Sequence, residues 1–484
     1  PHTLAAFEKS DYPDDWRELM RLYMVRRTRS FIQQHYAKDD SKTGRKYLLF
    51  PSGDRSYFPA RIPKTLTFEL DPQFASLYAT DTVDIINGLC LPRYGLGNYD
   101  AADAKNPPTN TEAQILRDLG RAGKRLMGFC RTNLFKRLES SGAAFLLSVE
   151  RHILRNYLFL YAIENGKPLP IGTQAAELLD TSAYDEEETG TLEDEGEDNE
   201  EPSTDTGGSL RTEAEFRRRA ADVYAQYETK YKKRFRWLPS RLFSKELHGD
   251  LLSDAHDLLL VLSKCESWEG GKDEKLLRLR KLLAAERPHD KVLIFTQFAD
   301  TARYVAKQLT DMGLTKVGCA TGGSDATTLA WRFSPESNNR RKGVTSADEL
   351  RVLVATDVLS EGQNLQDSAI VVNYDLPWAI IRLIQRAGRV DRIGQRAEEI
   401  LCYSFLPAEG VEEIIKLRAR VKARLEQNAE VVGTDEAFFE DDTISAALHD
   451  LYNEKSGLLD GELDTEVDLA SYAYQVWKNA TDAD

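Results

Sequence analysis

The sequence predicts an α/β protein: a parallel sheet with helices on both faces, joined to a large and mainly helical insertion. Three observations lead there. From about Gly271, short β-branched runs alternate with amphipathic stretches, the signature of repeated βαβ units. Over Pro72–Leu169 and again over 211–265, apolar residues recur at three- and four-residue steps, which is helical. The chain has 484 residues, more than one core usually serves.

Residues 14–33 carry a helical pattern in Trp16, Leu19, Leu22, Tyr23 and Ile32. A turn-rich stretch with Gly44, Pro51, Gly53, Pro59 and Pro63 follows, and Lys64–Leu70 then alternates apolar and polar residues like a strand. Helices are expected near 74–89, 111–129 and 142–163. Residues 185–209 include a single aliphatic residue, Leu192, so nothing there offsets the entropy of ordering and a disordered loop is predicted. Beyond Gly271 the expected strands are Val292–Phe295, Val317–Ala320, Val352–Thr356, Ile370–Tyr374 and Ile400–Phe405. The helices between and after them are Asp300–Met312, Thr327–Phe333, Ile380–Ala387 and Val411–Leu425. The domain reading is a lead-in over 1–70, a helical insertion over 71–270, an α/β lobe over 271–430 and an acidic tail over 431–484.

The net charge of −15 conceals an uneven distribution. Residues 185–201 hold eleven acids and no Lys or Arg, and residues 435–484 carry a net −12. The remainder is basic, so the acidic average does not exclude a nucleic-acid partner. No run of eighteen apolar residues occurs, which argues against a membrane helix. Five scattered cysteines without a CxxC pair argue against a disulfide framework or a cysteine zinc site and favour a cytoplasmic setting. The first residue is Pro1, so a piece of a longer protein is expected.

The strongest motif is Gln385–Gln395, QRAGRVDRIGQ. Arg389 and Arg392 are three apart and share a helix face, and each guanidinium offers a planar fork of donors to phosphate oxygens. The plain alternative is a solvated basic helix whose arginines pair with acids such as Asp391.

QRAGRVDRIGQ resembles motif VI of superfamily 2 helicases in the wording of Swi/Snf-type ATPases. Lys291–Phe298 (KVLIFTQF) resembles motif IV, and Val352–Gln366 (VLVATDVLSEGQNLQ) resembles motif V in its bacterial wording. Val371–Trp378 resembles the strand that follows motif V. Tyr23–Arg29 with Ile62–Lys64 resembles the lead into the second lobe. The resemblance implies a RecA-like helicase C-terminal lobe, which works with a first lobe to hydrolyse ATP with Mg and track along double-stranded DNA.

The first lobe's phosphate loop, GxxxxGK[ST], has no counterpart; Thr43–Lys46 comes nearest in spelling. Asp435-Glu436-Ala437-Phe438 imitates the metal-binding acidic box but falls after motif VI, out of family order. ATP and Mg are therefore expected to be held mainly by a lobe outside this sequence, and the isolated chain is expected to be inactive. No residue is assigned as a metal ligand.

By resemblance, Arg389 and Arg392 are arginine fingers, and Gln385 bonds a phosphate or the motif V loop. Gly362 and Asn364 shape the loop near the ribose. Asp357 orients that loop or an arginine, or simply caps a helix. Thr356, Ser360, Thr296, Gln297, Thr321, Gly322 and Trp378 are candidates for the DNA backbone. Outside the lobe, residues 211–245 hold eleven Lys/Arg against four acids. They are interleaved with aromatics and include Lys232 and Lys233, a mixture that can neutralise phosphates and stack bases or can form an ordinary packed helix. The function expected is the C-terminal half of an ATP-dependent DNA translocase or helicase-like motor; the alternative is a non-catalytic nucleic-acid or protein-binding module.

Overall fold

In a computed structural model, the structure describes residues 36–41, 44–50, 53, 55–101, 107–172, 210–229, 232–265, 267–322, 324–360, 363–377, 381–392 and 394–406. The predicted helix at 14–33, the acidic loop, the helix at Val411–Leu425 and the acidic tail lie outside them. The chain divides into two units: Pro1–Thr67 with Lys281–Gln297 and Leu309–Asp484, and Phe68–Arg280 with Phe298–Gln308.

The first unit begins with a small antiparallel sheet of β1 (Lys38–Asp39), β2 (Lys46–Leu49) and β3 (Arg55–Tyr57). Tyr47 and Tyr57 pack together, with Arg55 and Arg45 over their rings. Next comes β4 (Ala60–Leu66), four residues earlier than the expected strand. It runs through Pro63, which stands opposite Cys402. An edge strand tolerates a residue with no N–H because one flank needs no partner.

The second unit is mainly helical. Helix α1 (Pro72–Leu77) is capped by Asp71, whose carboxylate accepts the Phe74 N–H at 2.9 Å, and α2 (Thr80–Gly88) follows. Helix α3 (Asn110–Ser140) opens on a reciprocal cap in which Glu112 and Thr109 bond each other's backbone N–H. Helix α4 (Gly142–Glu164) is buried along most of its length. At Gly142 a Cβ would stand 2.2 Å from the Trp268 ring, so only glycine fits. The rest of the unit is β5 (Pro168–Gly172), α5 (Glu213–Thr229), β6 (Phe235–Pro239), α6 (Lys245–Ser263) and α7 (Glu274–Lys281). The helical reading of 211–265 holds for α5 and α6 but is corrected between them, since β6 pairs antiparallel with β5. The alternation Phe235, Arg236, Trp237 has the two-residue period of a strand.

The chain then builds β7 (Val292–Phe295), α8 (Ala299–Asp311), β8 (Val317–Ala320), α9 (Ala326–Phe333), β9 (Val352–Ala355), β10 (Ile370–Asn373), α10 (Ile381–Val390) and β11 (Glu399–Phe405). With β4, the strands form one six-stranded sheet in the order β4-β11-β10-β7-β9-β8, parallel throughout. Every residue of β7, β9 and β10 is buried, as uninterrupted apolar runs require in a sheet covered on both faces. Helix α9 packs on β8, and α10 on β10 and β11. Leu293, Phe295, Phe333, Leu353 and Val371 lie in this core. Among the described residues, no helix is long and apolar enough to cross a membrane.

Candidate functional site

In a parallel sheet, ligand chemistry gathers where the strands end at their carboxyl termini. Three such ends carry the sequence motifs here. After β7, the Thr296 hydroxyl donates to Asp375 at 2.5 Å, and the Gln297 backbone N–H donates to the other carboxylate oxygen at 2.8 Å. Thr296 is fully buried and its proton is given to Asp375, so in this arrangement it fixes the strand end rather than facing out. After β9, Thr356 is anchored by its N–H to the Ala320 carbonyl at 3.0 Å. The Thr356 Oγ1 and Gln297 Nε2 atoms are buried without a hydrogen-bond partner. Buried polar atoms are nearly always satisfied, and these two stand at the ends of adjacent strands. After β8, the Thr321 N–H bonds Ser324 Oγ at 2.7 Å in a tight turn, with Gly322 exposed.

The turn Asp357–Ser360 leads away from β9. Asp357 Oδ1 accepts from Arg386 Nε at 2.7 Å, and Oδ2 accepts from Arg386 Nη2 at 3.0 Å and Arg382 Nη1 at 3.1 Å. Burial pushes this carboxyl up, yet the two guanidiniums hold it below its ordinary value. Of the roles expected for Asp357, orienting an arginine is the one this geometry matches. Arg386 is itself fully buried, also donating to Asn373 Oδ1 (3.2 Å) and the Asp375 carbonyl (3.3 Å).

Helix α10 carries Gln385, Arg389 and, just past its end, Arg392. Gln385, Arg389 and Arg392 are half-buried. Arg392 donates through Nη1 to Asn364 Oδ1, and the Arg389 carbonyl accepts the Leu365 N–H at 3.2 Å. The Asn364 side chain thus holds an arginine. Asp391, offered above as a neighbour to the fingers, accepts from Arg61 Nε of β4 at 2.6 Å. Gly362 and Trp378 lie outside the described residues, and Ser360 is placed only as the end of its turn.

Sequence reasoning missed Arg386, Asp375 and Arg61. One signal was present for the first: Arg382 and Arg386 stand four apart, on one helix face.

In the helical unit, the aromatics of 211–245 pack on one another. Tyr227 and Phe235 have ring centroids 4.4 Å apart, Trp237 sits edge-on to Tyr224 and Phe235, and Trp237 Nε1 donates to the Lys232 carbonyl. Arg211 pairs with Glu150 and Arg217 with Glu164 and Glu213. Lys232 and Lys233 remain exposed.

Residues 274–394 match the family model described as the helicase conserved C-terminal domain. The chain is 35% identical over 129 residues to an uncharacterized ATP-dependent helicase, YqhH, of Bacillus subtilis, covering 26% of this chain and 21% of that protein. It is 30% identical over 195 residues to DEAD-box ATP-dependent RNA helicase 1 of Arabidopsis thaliana, covering 38% and 34%. The chain therefore spans between a fifth and about a third of these relatives. The C-terminal part of the Fun30 ATPase domain aligns over 82% of this chain and 98% of its own at 15% identity, with a TM-score of 0.34, too slight to carry an argument.

Proposed function

We propose that this chain, which carries a helicase conserved C-terminal domain at residues 274–394, is the second half of an ATP-dependent, DNA-tracking motor. Its ATP site is completed by a phosphate-binding lobe outside this sequence. The observation that carries the reading is the placement of Arg389 at the end of α10 and Arg392 just past it, with the Arg389 carbonyl bonded to Leu365 and Arg392 to Asn364 of the motif V stretch. Phosphoryl transfer asks for positioned positive charge more than covalent help, and an arginine finger contributes roughly 10³–10⁵ in rate. Arg389 and Arg392 supply that charge to the γ-phosphate of ATP, with Gln385 one turn earlier on the same helix. Asn364 accepts from Arg392 and so holds that finger in place. Magnesium would be held by the lobe outside this sequence and would supply further positive charge to the phosphates; no residue of this chain is assigned to it.

The strand ends of β7, β8 and β9 form the track for a phosphate backbone, through Thr356, Ser360, Gln297, Thr321 and Gly322, with Trp378 following β10. Such contacts position a duplex without reading its sequence. Duplex DNA is proposed over RNA because motif VI has the Swi/Snf-type wording.

The test is Arg389→Ala and Arg392→Ala in the full-length protein. Turnover stimulated by duplex DNA should fall by roughly a thousandfold or more, while the KM for ATP changes little, because a finger acts on the transition state. Lysine at either position should rescue poorly, lacking the planar fork. Near-normal hydrolysis by both alanine variants would leave the non-catalytic binding module as the reading; stimulation by duplex RNA and not by DNA would correct the partner.

A further inference from the structure

Inside the first unit, the lead-in strands hold the chain just past α10 at four points. Arg61 Nε of β4 donates to Asp391 Oδ2 at 2.6 Å, and the two side chains are 9% and 4% exposed. The Gly394 N–H donates to Ser56 Oγ of β3 at 3.1 Å. Arg45 Nη1 donates to Glu398 Oε1 at 2.8 Å, and the Ala60 N–H donates to the Glu398 carbonyl at 2.9 Å. The charged contact at Asp391 is the buried one, and it falls in the chain between Arg389 and Arg392. A carboxylate there has the wrong sign for a site that presents cations to a polyphosphate. Arg392 is bonded to Asn364, a neutral amide. Arg392 and Asp391 thus adjoin in sequence, yet each is bonded elsewhere.

We infer that Arg61 is a positioning residue: it takes up the Asp391 carboxylate and so leaves the neighbouring guanidiniums, Arg392 above all, to phosphate. The inference rests on the function proposed above and deepens it, naming a residue 330 positions upstream on which the arginine pair depends. A buried charge is costly unless it is paired. With Arg61 gone, the Asp391 carboxylate has the Arg389 and Arg392 guanidiniums within two residues of it, where the chain has left the helix at Val390. Arginine stays charged at any working pH, so a finger is the ready partner, and pairing withdraws it from the phosphate. An uncompensated unit charge a few ångströms off, in partly buried surroundings, is worth roughly tenfold to a hundredfold in rate. The bland alternative is a brace between β4 and the chain beyond α10. A brace makes the two partners equivalent, since removing either leaves the other buried and alone. The role inferred for Arg61 makes them unequal, because only its loss sets the carboxylate loose.

The experiment uses Arg61→Gln, Asp391→Asn and the double variant Arg61→Gln/Asp391→Asn in the full-length protein. The kcat and KM for ATP at saturating duplex DNA are measured for each, with the melting temperature. Arg61→Gln should lose roughly tenfold to a hundredfold in kcat, with KM within about threefold of wild type. Asp391→Asn should melt lower yet keep its kcat within about threefold, and the double variant should recover the turnover that Arg61→Gln loses. Normal turnover in Arg61→Gln overturns the inference. So does a loss in Asp391→Asn as large as in Arg61→Gln, a double variant as slow as Arg61→Gln, or failure of Arg61→Gln to fold, each of which makes the pair a brace. Arg389→Ala is assayed alongside. If it abolishes turnover while Arg61→Gln is unaffected, the role of Arg61 fails and the motor reading stands. If Arg389→Ala keeps its turnover, the motor reading fails, and this inference with it.

Discussion

Among the described residues, two buried carboxylates are each held by more than one arginine, Asp357 in the sheet unit and Asp300 in the helical unit, and their surroundings differ. In the sheet unit, Asp357 meets Arg386 and Arg382 at a strand end with an orphan hydroxyl beside it. In the helical unit, Asp300 accepts from Arg151 at 2.6 Å and Arg137 at 3.2 Å. Arg137 lies over the Phe298 ring, and Ser140 and Thr301 bond each other nearby. Burial pushes both carboxyls up, and in both the guanidiniums more than reverse it. The ionic chemistry is the same. What separates them is the neighbourhood: Asp300 is tied to helices that end in further packing, whereas Asp357 is tied to a helix that carries two half-buried arginines.

The comparison breaks if Asp300 is anything but scaffolding. Asp300→Ala removes a carboxylate from the buried Arg137 guanidinium and from that of Arg151, and should cost about 3–5 kcal/mol in urea denaturation; a loss under about 1 kcal/mol would mean the clasp holds little.

A pH series sharpens it within the helical unit. The Asp300 carboxyl, lowered in the fold, contributes stability that is present above its unfolded value and lost as pH falls through the folded one. Asp254 has the opposite sign. Burial pushes it up to about 6, against backbone hydrogen bonds from Cys90 and Leu91 that pull it down. Its contribution is present below its unfolded value near 4 and is lost as pH rises through about 6. The fall in stability between these values should be at most about 3 kcal/mol. It should flatten in Asp254→Asn, and an identical slope in that variant would remove Asp254 from the account.

The smallest effect expected is at Lys232 and Lys233, which we propose meet phosphates from the helical unit. Replacing both with Ala should reduce the log–log salt slope of DNA binding by about 0.9 for each lysine engaged. An unchanged slope makes them solvated charges and confines nucleic-acid contact to the sheet unit.

The sheet was legible because its central strands are buried on both faces: the apolar run Val292–Phe295 starts and stops where β7 does. β4 was misplaced because Pro63 was read as a breaker, a rule that lapses at a sheet edge. Strand β6 was hidden by basic and aromatic residues that suit a helix surface equally well, and its partner β5 lies more than sixty residues earlier. The site was legible in its motifs but not in its bonds. Arg386 takes its meaning from Asp357, twenty-nine residues before it, and from Asn373. Asp375 takes its meaning from Thr296, seventy-nine residues earlier. Pairings across such separations are set by topology, which local pattern does not encode.

The outermost strand pairing carries a consequence for how the protein is made. Ala60 stands opposite Glu399, and all seven residues of β4 are in register with β11. At about 5–20 residues per second, the ribosome needs roughly 17–70 s after finishing β4 to synthesise its partner. During that interval β4 presents an unpaired backbone edge, an invitation to adventitious strand addition. Synthesis of residues 391–405, which delivers Asp391 to Arg61 and β11 to β4, therefore closes the sheet and seats the α10 region together, so a nascent chain stalled before residue 399 should be the form that chaperones meet.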